Sequence, residues 1–289
     1  MTATTGSRSA ASQTGRELGT WTTVKATVEN GTAWVVLNRP EKRNCMSPTL
    51  NDEMLEVLDT VALDTEARVM VLTGAGEAFT AGMDLKEFFR DTDALSQVER
   101  EIKQRSAFEW QGPRLRQFPL PTIAMVNGYC FGGGFHPLAN CDLAVAADEA
   151  VFGLSEVNWG IIPGGNVPLA VVHTMNLRDA MYYSITGETF DGRKAAEMGL
   201  VNESVPRDRL RTRVIEIANV LKSKNTAIVR GTKETIRHLR TMGWTEGENY
   251  INAKFAEALY NDPEHGRTNG LTQFLDEKSF RPGLEGYRR

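Results

Sequence analysis

The stretch Ile123-Ala124-Met125-Val126-Asn127-Gly128-Tyr129-Cys130-Phe131-Gly132-Gly133-Gly134-Phe135 decides how the rest of the chain is read. An apolar run of the kind that forms a buried strand leads into three consecutive glycines, and an apolar segment able to form a helix follows. Glycine lets the backbone turn at unusual dihedrals and approach a ligand closely. A helix that begins at such a turn aims unpaired N–H groups and its positive dipole end at whatever lies in front. Such a turn can hold a phosphate or the oxyanion of an enzymatic intermediate.

The same unit recurs on either side. Upstream, the aliphatic run Val69 to Leu72 ends in Thr73-Gly74-Ala75-Gly76. Phe79-Thr80-Ala81-Gly82-Met83-Asp84-Leu85 follows, and then an expected long polar helix. Downstream, Leu143 to Ala146 runs into a glycine-bearing turn at Gly153. Continuous apolar strands alternating with helices predict an α/β fold with parallel pairing. Nearer the start, Val24 to Val28 and Thr32 to Leu37 flank Glu29-Asn30-Gly31, a strong hairpin signal. Ser47-Pro48 reads as an N-cap with proline at the first helical position, and Leu50, Met54, Leu55, Leu58 and Val61 continue it as a helical stripe.

No strand signal appears after about Val205. Asp208 to Ser223, Thr226 to Thr241 and Trp244 to Tyr260 read as successive helices, so a core over 21–205 and a C-terminal helical region over 206–289 are expected. Residues 1–20 are rich in Ser, Thr, Ala and Gly, with no acidic residue before Glu17. They are expected to form a disordered tail, with a transit peptide as the minor alternative.

With 289 residues, 41% of them hydrophobic, the chain can bury one large core with a helical appendage. A net charge of −4 argues against a nucleic-acid protein, which needs a concentrated basic face. Cys45, Cys130 and Cys141 are odd in number and lack a C-x-x-C spacing, which suggests reduced thiols and a cytoplasmic setting. His136, His173, His238 and His265 show no i, i+4 pairing, so no metal site is expected. No apolar run approaches membrane-spanning length.

Two glycine turns after buried strands can each present one backbone N–H, that of Met83 and that of Gly133. If they converge, they stabilise an oxygen gaining negative charge, each by about 3 kcal/mol in the transition state. Close helix–strand packing is the competing use of such glycines. Glu156 sits among Phe152, Leu154, Val157 and Trp159. Partial desolvation there would raise its pKa toward the working pH, as a general acid/base requires, whereas an ordinary solvated loop carboxylate would not be shifted. Gly74, Gly76 and Gly82 do not space as a dinucleotide fingerprint, and no Walker-type lysine follows either cluster. Gly153-Leu154-Ser155 lacks the closing glycine of a nucleophile elbow.

Asn38-Arg39-Pro40, Phe79 to Leu85, Asn127-Gly128 with Gly132 to Gly134, Cys141-Asp142-Leu143-Ala144 and Phe152 to Gly164 together resemble the enoyl-CoA hydratase/isomerase (crotonase) superfamily. The resemblance runs from about Trp21 to the C-terminus. It implies a spiral of β-β-α turns, a helical region that assembles a homotrimer or a dimer of trimers, and a coenzyme A thioester in an extended groove. The thioester oxygen would lie between the N–H groups of Met83 and Gly133. Adenine and pantetheine would run along Ala81, Gly82, Met83, Asp84, Leu85 and Lys86, with Lys42 and Lys278 toward the phosphates. No cofactor is implied, because coenzyme A belongs to the substrate.

Ordinary hydratases of that superfamily carry two glutamates, and His136 stands at the first position here. The blocks Asn38 to Asn44, Thr73 to Glu77, Ala81 to Glu87 and Phe274-Leu275-Asp276 with Lys278-Ser279 look most like the hydroxycinnamoyl-CoA hydratase-lyases. These add water to a 4-hydroxycinnamoyl thioester and split the product into an aromatic aldehyde and acetyl-CoA. In the acyl pocket the resemblance places Phe88, His136 and Asn252 where that group has tyrosine, serine and tyrosine; Tyr250 lies two residues from Asn252 on another helix face, and Trp159, three residues after Glu156, would line the pocket or pack as a core tryptophan. A hydratase acting on another bulky acyl-CoA without cleavage, and a non-catalytic scaffold, are the alternatives.

Overall fold

The computed structural model describes residues 15–283 and 285–289. The strands are β1 (Arg16–Glu17), β2 (Val24–Glu29), β3 (Thr32–Leu37), β4 (Val69–Gly74), β5 (Ala78–Thr80), β6 (Thr122–Val126), β7 (Tyr129–Phe131), β8 (Leu143–Ala147), β9 (Val151–Gly153), β10 (Thr189–Asp191) and β11 (Glu203–Val205). The helices are α1 (Pro48–Leu63), α2 (Gln97–Glu109), α3 (Phe135–Asn140), α4 (Val167–Thr174), α5 (Leu177–Thr186), α6 (Gly192–Glu197), α7 (Arg207–Lys222), α8 (Thr226–Leu239), α9 (Trp244–Tyr260) and α10 (Gly266–Leu275).

A seven-stranded sheet has the order β1-β2-β3-β4-β6-β8-β11, antiparallel up to β3 and parallel from there on. A four-stranded sheet, β10-β9-β7-β5, lies beside it. Strand β4 hands over to β5, β6 to β7 and β8 to β9, so each turn of the chain adds one strand to each sheet. That is a β-β-α spiral. Helix α1 packs on β2 and β3, and α7 covers β4, β6 and β8. Every residue of β4 and β6 is buried, as their continuous apolar runs require.

Local signals act where expected. Asn30 (φ 50°) and Gly31 (φ 73°) turn the β2–β3 hairpin, a two-residue loop with both residues left-handed. Ser47 caps α1 by accepting from Leu50 N, with Pro48 in the first turn. The C-terminal helices tie back to the spiral through Asp142, in the turn before β8. Its carboxylate accepts from Thr122 N and Oγ1 at the start of β6, and from Lys233 Nζ (2.7 Å) and Arg237 (2.8 Å) on α8.

Three expectations need correction. The tail was expected to reach residue 20, but Arg16–Glu17 pairs antiparallel with Thr27 and Val28, and Arg16 reaches Asp64; residues 1–14 lie outside the described ones. The polar helix after Leu85 does not start there: a wide π-type turn over Leu85–Phe89 and a 3-10 turn come first, and α2 begins at Gln97, capped by Ser96 in a capping box with Glu99. A fourth C-terminal helix, α10, follows α9.

Candidate active site

Gly82 and Gly132 both take left-handed backbone, at φ 90° and 47°. Those turns let β5 and β7, neighbours in the small sheet, bring the next two residues together. A Cβ built on Gly82 would lie 3.2 Å from Gly133 N, and one built on Gly133 would lie 3.5 Å from Met83 N. The two expected donors are therefore neighbours, with no room for a side chain between them. Met46 brackets Met83: its N–H donates to Gly82 O and its carbonyl accepts from Asp84 N. No described residue accepts from Met83 N–H itself. Gly133 lies in the first turn of the short helical run that continues as α3, where N–H groups lack intrahelical acceptors.

Glu156 opens a 3-10 turn after β9 and reaches back over the glycines, where a Cβ on Gly132 would stand 3.0 Å from Glu156 Oε1. Its Oε2 is buried without a hydrogen-bond partner. Burial pushes the carboxyl above its ordinary range, against a weaker pull from its own backbone N–H. A buried carboxylate with one oxygen unpartnered, close to the Gly132 turn that precedes the Gly133 N–H, is equipped to take and return protons.

Beside Met83 lies a segment that the sequence reading missed. The chain bulges at Trp110–Arg114, with Gly112 off helical dihedrals and Pro113 inside the turn. The bulge sets buried Gln111 Nε2 3.7 Å from Met83 Sδ and 3.4 Å from Asn51 Oδ1, while Trp110 Nε1 donates to the same Asn51 oxygen. Such bulges frequently mark functional sites, and the proline was the legible part of the signal.

The remaining expected residues divide into two groups. His136 is buried, with its Nε2 3.1 Å from Asn166 Nδ2 and Gly112 packed beside the ring. Burial, aided by the charge of Arg116, holds its pKa down at about 4, so the ring is neutral. It opens on a cleft of about 510 Å³ that His173 and His238 also line. Phe88 is buried edge-on against Phe89. Trp159 is exposed, three residues after Glu156. Within one chain Asn252 and Tyr250 are not brought to Glu156: Asn252 is exposed on α9 and Tyr250 OH meets His238 Nδ1 at 3.2 Å.

Along the expected coenzyme A path, Leu85 and Lys86 are exposed. Lys42 Nζ lies 3.2 Å from Glu87 and 3.9 Å from Asp84. Lys278 is exposed and left-handed, at φ 55°. A cavity of about 920 Å³ lies elsewhere, between the start of β8 and helices α8 and α9, and it is lined mainly by apolar groups such as Leu200, Ile228 and Phe255. No helix among the described residues is long and apolar enough to cross a membrane.

Comparison with known proteins agrees with this architecture. Residues 27–281 match the enoyl-CoA hydratase/isomerase family. A hydroxycinnamoyl-CoA hydratase-lyase of Pseudomonas fluorescens is 55% identical over 94% of this chain and 98% of its own length. The mevalonyl-coenzyme A hydratase sidH of Aspergillus fumigatus is 36% identical over 73% of this chain and 74% of its own length. Among solved structures, an enoyl-CoA hydratase subunit of Geobacillus kaustophilus superposes with a TM-score of 0.80 at 27% identity, covering 90% of this chain and 98% of that one. An enoyl-CoA hydratase of Bacillus anthracis superposes at 0.79 with 28% identity, covering 89% of this chain and 97% of that one. With nearly the whole spiral matched in sequence and in shape, the chain belongs to the enoyl-CoA hydratase/isomerase family.

Proposed function

We propose that this protein hydrates a hydroxycinnamoyl-CoA-type thioester and then cleaves the product by a retro-aldol step to an aromatic aldehyde and acetyl-CoA. The observation that carries the reading is the 55% identity to a hydroxycinnamoyl-CoA hydratase-lyase along almost its full length. The lone Glu156 carboxylate facing the Gly132 turn supports it.

Glu156 Oε takes a proton from water as the water oxygen bonds to the β-carbon. Electrons move to the thioester oxygen, which is held by Met83 and Gly133 N–H, and the α-carbon then receives the proton from Glu156. A para-hydroxyl on the ring donates electron density that stabilises positive charge developing at the benzylic carbon, so water can add there without a second carboxylate. In the second step Glu156 removes the β-hydroxyl proton. The bond between the α- and β-carbons breaks, the aldehyde leaves, and the acetyl-CoA enolate forms on the same two donors before it is protonated at carbon. One oxyanion site serves both steps.

In this reading His136, Phe88 and Trp159 face the acyl group, and coenzyme A runs along Ala81–Lys86 with Lys42 and Lys278 at its phosphates. Asn252 and Tyr250 would be supplied to the acyl pocket beside Glu156 by a neighbouring subunit, in a homotrimer or dimer of trimers built through the C-terminal helices. The work would be done in the cytoplasm, without an added cofactor.

The test is incubation with 4-coumaroyl-CoA, feruloyl-CoA and crotonyl-CoA, with products followed by mass spectrometry. Aldehyde plus acetyl-CoA is expected from the aromatic thioesters. Hydration of crotonyl-CoA with no aromatic cleavage would overturn the reading in favour of a plain hydratase.

A further inference from the structure

We propose that the buried Arg39–Asp84 ion pair is the positioning element for the Met83 N–H, setting the direction in which that donor meets the thioester oxygen. The inference rests on the acyl-CoA reading above.

Met83 is fixed on both sides by Met46, through Gly82 O (2.8 Å) and Asp84 N (3.0 Å). In such a parallel bridge the flanking groups point toward the partner segment, so the N–H of the central residue points away from it. What holds the far side of the turn is Asp84. Its Oδ1 accepts from Lys86 N and Glu87 N, both at 3.0 Å, and closes the turn after Met83. Its Oδ2 accepts from Arg39 Nη1 at 3.1 Å and from the Cys45 thiol at 3.2 Å. Arg39 also donates to Cys45 O (2.8 Å) and to Glu87 (2.9 Å), so one guanidinium spans the loop residue before Met46 and the turn after Met83.

Arg39 is 8% exposed and Asp84 is 4% exposed. Burying both charges carries a desolvation cost that well-packed apolar residues would avoid, so stability alone does not account for the pair. Placement does. A donor displaced by about 1 Å loses on the order of 10²-fold in rate. The Asp84 carboxyl sits at about 2: burial opposes ionisation, but the donors from Glu87, Cys45, Arg39 and Lys86 outweigh it. The pair is therefore charged throughout the working pH range.

The experiment uses the full chain with 3-phenylpropanoyl-CoA, whose saturated acyl group cannot be hydrated, labelled with ¹³C at the thioester carbonyl. Infrared difference spectroscopy reads the carbonyl stretch of the bound thioester, and kcat and KM are measured separately on the hydrated substrate. In the unsubstituted protein the stretch falls to lower wavenumber on binding. Asp84→Asn and Arg39→Gln should each lose at least half of that shift and tenfold or more in kcat. In Arg39→Gln, whose site lies outside the coenzyme A path, KM and coenzyme A affinity should stay within threefold, and Arg39→Lys should recover part of both effects.

An unchanged carbonyl shift in either folded variant would overturn the proposal. Loss of coenzyme A affinity with the shift intact would assign the pair to binding the coenzyme A portion of the substrate instead. Failure of both variants to fold would assign it to folding, which equally overturns the positioning role. Because the spectroscopic probe needs no turnover, a protein that cleaves no aromatic thioester can still pass this test, so the two readings fail separately.

Discussion

Glu156 is where the chain gives up stability for reactivity. Its folded-state pKa is raised, so the folded protein holds a proton that the unfolded chain releases. Stability therefore falls as pH rises from the ordinary carboxylate value through the folded one. Glu156→Gln should lower kcat about 10³-fold. It should also raise Tm at neutral pH by about 2 °C or more, a gain that scanning calorimetry should find absent below about pH 4. His136 contributes with the opposite slope. With a folded pKa of about 4 it stays neutral while the unfolded chain's histidine protonates near 6.5, so stability drops as pH falls between those values. Urea titrations at stepped pH should show that part of the loss flattened in His136→Gln. Gly133→Ala keeps the N–H but sets a methyl 3.0 Å from Met83 Cγ, so kcat should fall about 10²-fold while the far-ultraviolet spectrum is unchanged.

At the scale of elements, the anchor between spiral and C-terminal helices is the most exposed to mutation. Lys233 gives its Nζ to Phe118 O, Leu120 O and Asp142, and burial lowers its pKa against the pull of Asp142. Asp142→Asn leaves that ammonium buried without its counter-charge and should cost about 3 kcal/mol in denaturant unfolding. Cys141-Asp142-Leu143-Ala144 was legible as a motif, but nothing local says that its carboxylate serves a helix ninety residues later. The same divide runs through the fold. The Asn30-Gly31 hairpin, the Ser47-Pro48 helix start and β6 could be read in advance, because their signals lie within a few residues. Strands β5, β7, β9 and β10 have three residues each, too few for a period to show. In the site, Met83, Gly133 and Glu156 announced themselves through glycines and an apolar setting. Gln111 and Asn166 did not, since a backbone bulge and a long-range side-chain contact place them.

For the whole molecule, the decisive surface is the one left apolar. Ile162, Leu169, Leu177, Met181 and Ile185, on or just before α4 and α5, are each more than half exposed, as are Ile236 and Phe255 on α8 and α9. Large apolar side chains left exposed in this way are what a subunit contact would cover. Asn252 and Tyr250, which the resemblance places at the acyl pocket, lie on α9 and do not reach Glu156 within their own chain. Assembly and activity should therefore be coupled. Sedimentation equilibrium is expected to give three or six times the 32.0 kDa of one chain. Leu177→Glu combined with Ile185→Glu, each placing a charge in the contact, should shift the population toward single chains. If α9 of a neighbour completes the acyl pocket, the dissociated chains should lose activity on the aromatic thioester while their circular dichroism stays that of the folded protein. A wild-type species of 32.0 kDa with full turnover would confine the acyl pocket to one chain and leave Asn252 and Tyr250 outside it.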